Sequence, residues 1–303
     1  MSLDKMPCVA VLTATYNGEK WIKEQLESII NQVGVRVDIF ISDDESTDKT
    51  LDICYEMESV NQNITILPNV GKFGGAGKNF YRLIRDVDLD KYDYVSFSDQ
   101  DDIWFKDKLQ VAIEFLKSSD SECYSSNVMA FYESGKEVCI NKAQKQTKYD
   151  CFFEAAGPGC TYVLSYKSIS KFKLFLKDNE NIINQIDLHD WLIYAFCRKN
   201  KFKWTIDSRV GLNYRQHNNN QVGANVSIKA KFKRLKLVKN KWYRHQVTKI
   251  SNLLHTDERV EFINFCLSKG YLGNILLSLV FWRLRRKFSD KFFLLAILLL
   301  NLF

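Results

Sequence analysis

The chain reads as an α/β protein, a mostly parallel sheet with helices covering both faces. Three observations carry this. The runs PCVAVLTATY, VDIFISDD, NITILPN and YDYVSFSDQDD are rich in apolar and β-branched residues and are continuous rather than alternating in polarity. Segments of helical spacing separate them, so strand and helix alternate four times. Polar residues gather just after the strands, at the edge where open parallel sheets bind ligands.

Each element has its own signal. The first run stops at a polar turn, Asn17-Gly18-Glu19, after which Ile22, Leu26, Ile29 and Val33 recur at helical spacing. After VDIFISDD, the segment STDKTLDICYEM opens on Ser, Thr and Asp, as helix N-termini do, and spaces Leu51, Cys54 and Met57 along one face. NITILPN leads through the Gly-rich turn GKFGGAGKNF into a helix, KNFYRLIRDV. YDYVSFSDQDD closes the alternation, with DKLQVAIEFLK as the next helix. Beyond residue 120 the pattern weakens. CYSSNVMAFYE and the stretch after FEAAGPGC read as strands, DLHDWLIYAFCRKN as a helix, and RVGLNYRQHNNNQVGAN as a strand ending in an Asn-rich loop.

With 303 residues the chain can bury a large core as one domain or two unequal ones. Its 46% hydrophobic and 26% charged residues are ordinary for a soluble globular protein, and only 3 prolines and 13 glycines argue against long disordered tracts. The 8 cysteines are scattered with no CxxC pair, which predicts reduced thiols in a cytosolic chain rather than a disulfide framework or zinc site. No export signal precedes the first strand, so the sequons at Asn63 and Asn225 carry no weight. The net charge of +7 is unevenly placed: Ser208 to Thr256 contains no Asp or Glu, while lysines and arginines accumulate from Lys229 to Lys249. This divides the chain into a strand-and-helix domain, 1–225, and a basic helical region, 226–303.

The Gly-rich segment is not a phosphate loop, because Asn79 stands where Ser or Thr is required, nor a dinucleotide fingerprint, because Phe80 replaces the third glycine. A helix opening near Lys78 could still approach a phosphate, or the lysine could be solvated. Asp99, Asp101 and Asp102 crowd into four positions after a buried strand. They do not form an EF-hand, since Ile103-Trp104 follows with no loop glycine. Carboxylates so placed suit one hard divalent cation, Mg²⁺ or Mn²⁺, whose charge offsets their repulsion. Any single Asp or Asn at a strand end could cap a helix. Three strand ends together point to a ligand edge.

In order, TYNGEKWIKEQLESIINQ, DDESTDKT, SDQDDIWFKDKL and HDWLIYAF resemble the family 2 inverting glycosyltransferases of GT-A fold, over residues 7 to 225. SDQDDIWFKDKL, HDW and YRQHNNNQVGAN are most similar to bacterial rhamnosyltransferases of surface polysaccharide synthesis, such as those of O-antigen or capsule. The resemblance implies roles for individual residues. Tyr16, flanked by Thr15 and Asn17, would stack on the nucleotide base, and Asp44, with Asp43 beside it, would hydrogen-bond it. Asp99 and Asp101 would be the DxD pair that contacts the donor and holds the metal, with Asp102 as a third acid. Asp190 would be the catalytic base. His189 and Trp191 could line the acceptor pocket, His217 could complete the metal site or touch the diphosphate, and Arg215 could pair with phosphate. Ala14 stands where the family often has Ser or Thr, which puts a side-chain contact to the base there in doubt.

The implied reaction moves a sugar, L-rhamnose from its dTDP donor or a hexose from a UDP donor, onto a lipid-linked glycan. Neither apolar run at the end, YLGNILLSLVFW or FFLLAILLLNLF, reaches the roughly 20 residues of a membrane span. Both could lie in the interface with arginines and lysines at anionic headgroups, placing the enzyme at the cytoplasmic membrane face. Packing on the catalytic domain or a homodimer interface are the alternatives. The basic stretch alone would also fit a non-catalytic nucleotide-sugar or nucleic-acid binder, but no nucleic-acid-binding motif accompanies it.

Overall fold

The computed structural model describes residues 6–217, 240–255 and 258–303. The elements are β1 (Cys8–Thr15), α1 (Ile22–Ile30), β2 (Arg36–Asp43), α2 (Thr50–Val60), β3 (Ile64–Ile66), α3 (Ala76–Asp86), β4 (Tyr94–Ser98), β5 (Ile103–Trp104), α4 (Lys108–Ser118), β6 (Cys123–Tyr132) and β7 (Glu137–Ile140). Then come α5 (Asp150–Phe153), β8 (Val163–Ser165), α6 (Tyr166–Asp178), α7 (Glu180–Ile183), α8 (His189–Lys199) and β9 (Trp204–Gln216). The C-terminal region adds α9 (Trp242–Leu253), α10 (Glu258–Ser268), α11 (Gly270–Ser278) and α12 (Phe288–Leu299). The boundary expected at residue 225 lies outside the described residues.

One sheet runs in the order β3-β2-β1-β4-β8-β6-β9-β5, with β7 paired to β6. The first four strands are parallel, as their continuous apolar runs predict, and every residue of β1 is buried. The second half is mixed, with β8 antiparallel to both β4 and β6 while β6 and β9 are parallel. Here sequence reading loses resolution. Helix α6 escapes it because four lysines interrupt a stripe of Ile169, Phe172 and Leu176 that is nonetheless buried. Strand β5 is two residues long, below any periodicity. Helix α1 ends before Val33, which is 45% exposed.

Two hydrophobic layers sandwich the sheet. Ile22, Leu26, Leu109 and Ile113 belong to one, and Phe80, Leu83, Phe172 and Leu192 to the other. Val247, Ile263, Leu277, Leu294 and Phe303 lie in that second layer too, so α9–α12 share its core. Each large side chain so buried contributes about 1.5–3 kcal/mol. No helix among the described residues is long and apolar enough to cross a membrane. Yet α11, α12 and the turn between them leave Leu272, Leu279, Trp282, Phe288, Phe292 and Leu300 exposed. All eight cysteines are free thiols, and Cys139 alone among them is exposed.

Candidate active site

Strand register assembles the site. Thr15 of β1 pairs with Asp43 of β2, and Thr13 with Ser98 of β4, so residues 15–17, 43–46 and 99–102 end on one edge. Thr15 Oγ1 donates to Asp43 Oδ2 at 2.7 Å, and Ser46 donates its N–H and its hydroxyl to the same carboxylate. Asp44 accepts the N–H groups of Phe73, Gly74 and Gly75. Both of its oxygens are thus engaged by the Gly-rich loop, and the partner shown for Asp44 is that loop rather than a base. Asn17, at φ 49°, takes the Thr47 N–H on its side-chain oxygen. Tyr16 is 43% exposed and carries the Lys72 ammonium 5.0 Å from its ring centroid, leaving an aromatic platform at the strand end. Lys78 is exposed in the first turn of α3, while its neighbour Asn79 is buried and donates to Ser42 O.

The acids after β4 crowd against one another, Asp101 and Asp102 buried and Asp99 half-buried. Burial pushes the Asp99 carboxyl up to about 7, with Asp101 and Asp190 adding repulsion. Burial likewise drives Asp102 far above the usual carboxylate range, aided by Asp101 and Asp99. His217, at the end of β9, brings Nε2 to 2.6 Å from Asp101 Oδ2, although 116 positions separate them. Trp21 stacks on the His217 ring at 4.0 Å and 16°, fixing its plane. Arg215 clasps the turn itself: its backbone N–H reaches Asp102 Oδ1, its Nε donates to Asp101 O at 2.9 Å, and its guanidinium pairs with Glu24. The guanidinium expected on a phosphate is bonded in this structure to the acidic turn and α1.

A divalent cation can be tested against these donors. Asp99 and Asp101 offer hard oxygens, and His217 offers a nitrogen already held against Asp101, a set that suits Mg²⁺ or Mn²⁺. Asp99, Asp102 and Cys160 also cluster, their ligand atoms within 4.8 Å of one another. That group suits a hard cation poorly. Burial keeps the Cys160 thiol protonated, and Lys108 sits alongside.

Asp190 stands in the first turn of α8, where its Oδ1 accepts the Trp191 N–H at 2.7 Å. Burial raises its carboxyl to about 6, partly offset by that N–H and by the nearby Lys142 ammonium. His189 lies in an aromatic slot, 4.0 Å from Phe80 and 5.7 Å from Phe97, and burial lowers it to about 3. It is therefore neutral at physiological pH. A Cβ at Gly159 would come 2.7 Å from its Nε2, so only glycine leaves room there. Trp191, expected toward the acceptor, is a core side chain instead: it is 3% exposed and donates its indole N–H to Cys151 O. Its apolar bulk in an otherwise buried helix face explains the difference.

A model of glycosyl transferase family 2 matches residues 10–171, more than half of the chain. The protein is a family 2 glycosyltransferase. This glycosyltransferase is 58% identical over 96% of its length to all of a dTDP-rhamnosyl transferase, RfbG, of Shigella flexneri. It is 33% identical, over 37% of its own length and 43% of the relative's, to an Escherichia coli enzyme, WfaP, named as a UDP-Glc:α-D-GlcNAc-diphosphoundecaprenol β-1,3-glucosyltransferase. Among solved structures, Staphylococcus aureus TarS 1–349 is 17% identical and superposes over 97% of this chain and 88% of that one with TM-score 0.56. The fold is GT-A.

Several residues packed around this edge of the glycosyltransferase were not legible as such. Gln100 exchanges two hydrogen bonds with the backbone of Tyr16, 2.7 and 2.9 Å, joining the acidic turn to the end of β1. Lys108 is buried, with Nζ 3.3 Å from Ser96 Oγ and over the Trp104 ring; burial pulls it down to about 7, resisted by Cys160 and Asp102. A lysine one position before the apolar stripe of DKLQVAIEFLK was its only signal. Trp21 and Gly159 had none, and Gln100 had only its place in the polar strand end, because their partners are remote in sequence.

Proposed function

We propose that this glycosyltransferase transfers L-rhamnose from dTDP-L-rhamnose, with inversion, to a lipid-linked glycan in bacterial surface polysaccharide synthesis. The observation that carries the donor is the 58% identity to the whole of the Shigella dTDP-rhamnosyl transferase. A UDP-hexose donor is the second reading, favoured by the likeness to the E. coli glucosyltransferase. That relative's diphosphoundecaprenol acceptor also supports the lipid-linked acceptor assigned here.

In the mechanism, the acceptor hydroxyl lies against Asp190. Its oxygen attacks the anomeric carbon from the face opposite the nucleoside diphosphate. Asp190 takes the hydroxyl proton as the new C–O bond forms, and the bond to the diphosphate breaks with its electron pair on the leaving oxygen. A carboxylate held near 6 is unprotonated at pH 7 to 8 and more basic than a solvated one. Tyr16 supports the base of the donor, Thr15, Asn17 and Asp43 order the strand ends around it, and Asp44 holds the Gly-rich loop that carries Lys78. Asp99 and Asp101, with His217, would hold Mg²⁺ or Mn²⁺; when bound, that cation supplies charge that stabilises the departing diphosphate. Asp102 and Arg215 keep the acidic turn in place. Neutral His189 borders the acceptor side.

The C-terminal helices complete the reading. Exposed Trp282 and Phe292 both pack edge-on against Phe281, and Phe288 lies 4.8 Å from Phe292. Arg283 and Lys287 flank this aromatic surface and are exposed too. An amphipathic face of this kind lies on an anionic bilayer rather than across it, at the cytoplasmic side where nucleotide sugars are made. A second copy of the chain is the competing occupant. Transfer assays with a panel of nucleotide sugars, with and without Mn²⁺, test the donor. Turnover with UDP-glucose but not dTDP-L-rhamnose would replace the first reading by the second. Flotation with anionic vesicles tests the membrane face, and a chain that stays with the soluble fraction as a dimer overturns it.

A further inference from the structure

Helix α9 lies outside the strand-and-helix alternation, in the region that the sequence separates from the catalytic domain. Three of its side chains nevertheless address the short segment that carries Asp190. Trp242 donates its indole N–H to Asp187 Oδ2 at 2.5 Å. Gln246, 2% exposed, donates Nε2–H to the same oxygen at 3.2 Å and accepts the Asp187 backbone N–H on Oε1 at 3.1 Å. Tyr243 stacks on Trp191 with centroids 5.6 Å apart and planes 22° off parallel. Its own hydroxyl is fixed between Phe153 O and Arg285. One turn further, Lys249 Nζ reaches Gln185 O at 3.0 Å.

The opposite side of the segment is also closed. Gly77 of α3 packs so tightly on it that an added Cβ would stand 2.2 Å from Asp187 O. Tyr81, one turn on, directs its hydroxyl at Ile186 O. Residues 185–188 are thus wedged between the helix that opens at the Gly-rich loop and a helix of the C-terminal region.

We propose that α9 is a positioning element for the catalytic base: Trp242 and Gln246 fix residue 187, Tyr243 fixes residue 191, and Asp190 is held between them. This rests on the assignment of Asp190 as the base. A helix needing only attachment has its apolar face for that, since Val247, Ile250 and Leu253 already lie in the core. Spending a buried amide on both the backbone and the carboxylate of one exposed loop residue restricts where that loop can sit. Displacement of a reacting group by about 1 Å can cost ~100-fold in rate, so such restraint acts on turnover.

The test uses the full chain and conservative variants. Trp242→Phe removes the N–H and keeps the ring. Gln246→Glu keeps the acceptor for the Asp187 N–H and sets a carboxylate against Asp187. Each should lower kcat by about 10- to 100-fold while leaving the donor KM within a factor of two. In an Asp187→Ala background, Trp242→Phe should add little, because the acceptor of the bond it removes is already gone. A wild-type kcat in both variants overturns the proposal. So does a parallel change of kcat, donor KM and thermal midpoint, which marks general loosening. Asp190→Asn is measured alongside. If it remains active, the base assignment falls; if it is inactive while both α9 variants turn over normally, only the clamp falls.

Discussion

Two acidic clusters lie on this molecule and are treated in opposite ways, the first buried and the second partly open. At the junction of α5 with the C-terminal region, Asp150 and Glu154 face three guanidinium groups. Arg198 and Arg286 pair with Asp150 at 3.2 and 3.0 Å, and Arg285 and Arg286 approach Glu154 at 3.7 and 3.6 Å. At the ends of β4 and β9 and the start of α8, Asp99, Asp101, Asp102 and Asp190 lie close together, and the Arg215 guanidinium there bonds to the Asp101 carbonyl and to Glu24. Three of those four carboxyls are pushed upward, Asp99 to about 7 and Asp190 to about 6. The first cluster finds its countercharges within the protein and ties two regions together. In the function proposed above, the second would be completed from outside, by a cation, a donor or the proton of an acceptor, as perturbed acids at a site are.

The sharpest break in that contrast is Asp190→Asn. The amide can still accept the Trp191 N–H, so the helix start survives, but it cannot take a proton. Transfer should fall by about 1,000-fold with donor affinity unchanged, measured by product formation and by donor titration. Next is Arg286→Met in the matched cluster. It takes from Asp150 and Glu154, 0% and 7% exposed, the guanidinium they share, leaving one arginine to each, and should cost about 3 kcal/mol in denaturant unfolding. Asp102→Asn in the unmatched cluster should cost almost nothing in the same experiment. If both cost the same, the two clusters do not differ as described.

Asp101→Asn probes completion directly. With Mn²⁺ and nucleoside diphosphate at 100 times their dissociation constant, the wild-type chain should gain about 2.7 kcal/mol of stability. The variant should show less than half of that, and an undiminished gain would remove Asp101 from the cation's ligands.

The same comparison explains what could be read from the sequence. Strands β1, β2 and β4 and the acids at their ends were legible because burial on both faces writes a continuous apolar run, and topology then fixes which end binds. Asp99, Asp101, Asp190 and His217 were singled out in that way and by family likeness, and the fold brings His217 against Asp101 and Asp190 near Asp99. The matched cluster was invisible. Asp150, Arg198 and Arg286 are far apart in the chain, and each looks like a surface charge until the fold closes. Trp191 failed for the converse reason, since a motif neighbour of the base is by proximity a candidate for the acceptor, whereas the helix turns its ring into the core. Asp43 and Asp44 were correctly placed at the edge, but their hydrogen bonds run to Ser46 and to the Gly-rich loop, which no spacing rule encodes.

The smallest expected effects are in pH, and here activity and stability should move in opposite directions. As the proposed base, Asp190 would act only when unprotonated, so kcat/KM should fall tenfold per unit below an apparent pKa of about 6, and the Asp190→Asn residual rate should lack that limb. For stability, the folded carboxyl has the higher pKa, above 3.8 in the unfolded chain. The folded state therefore holds its proton more tightly. The wild-type chain is penalised as pH rises from about 4 through 6, and the penalty is fully present above that. Asp190→Asn carries no such charge. Its thermal midpoint should exceed wild type by a few degrees at pH 8, and the difference should vanish at pH 4. A variant less stable than wild type at pH 8 would mean that the charged form of Asp190 is favoured by its surroundings, and the division between a completed and an uncompleted cluster would no longer hold at the base.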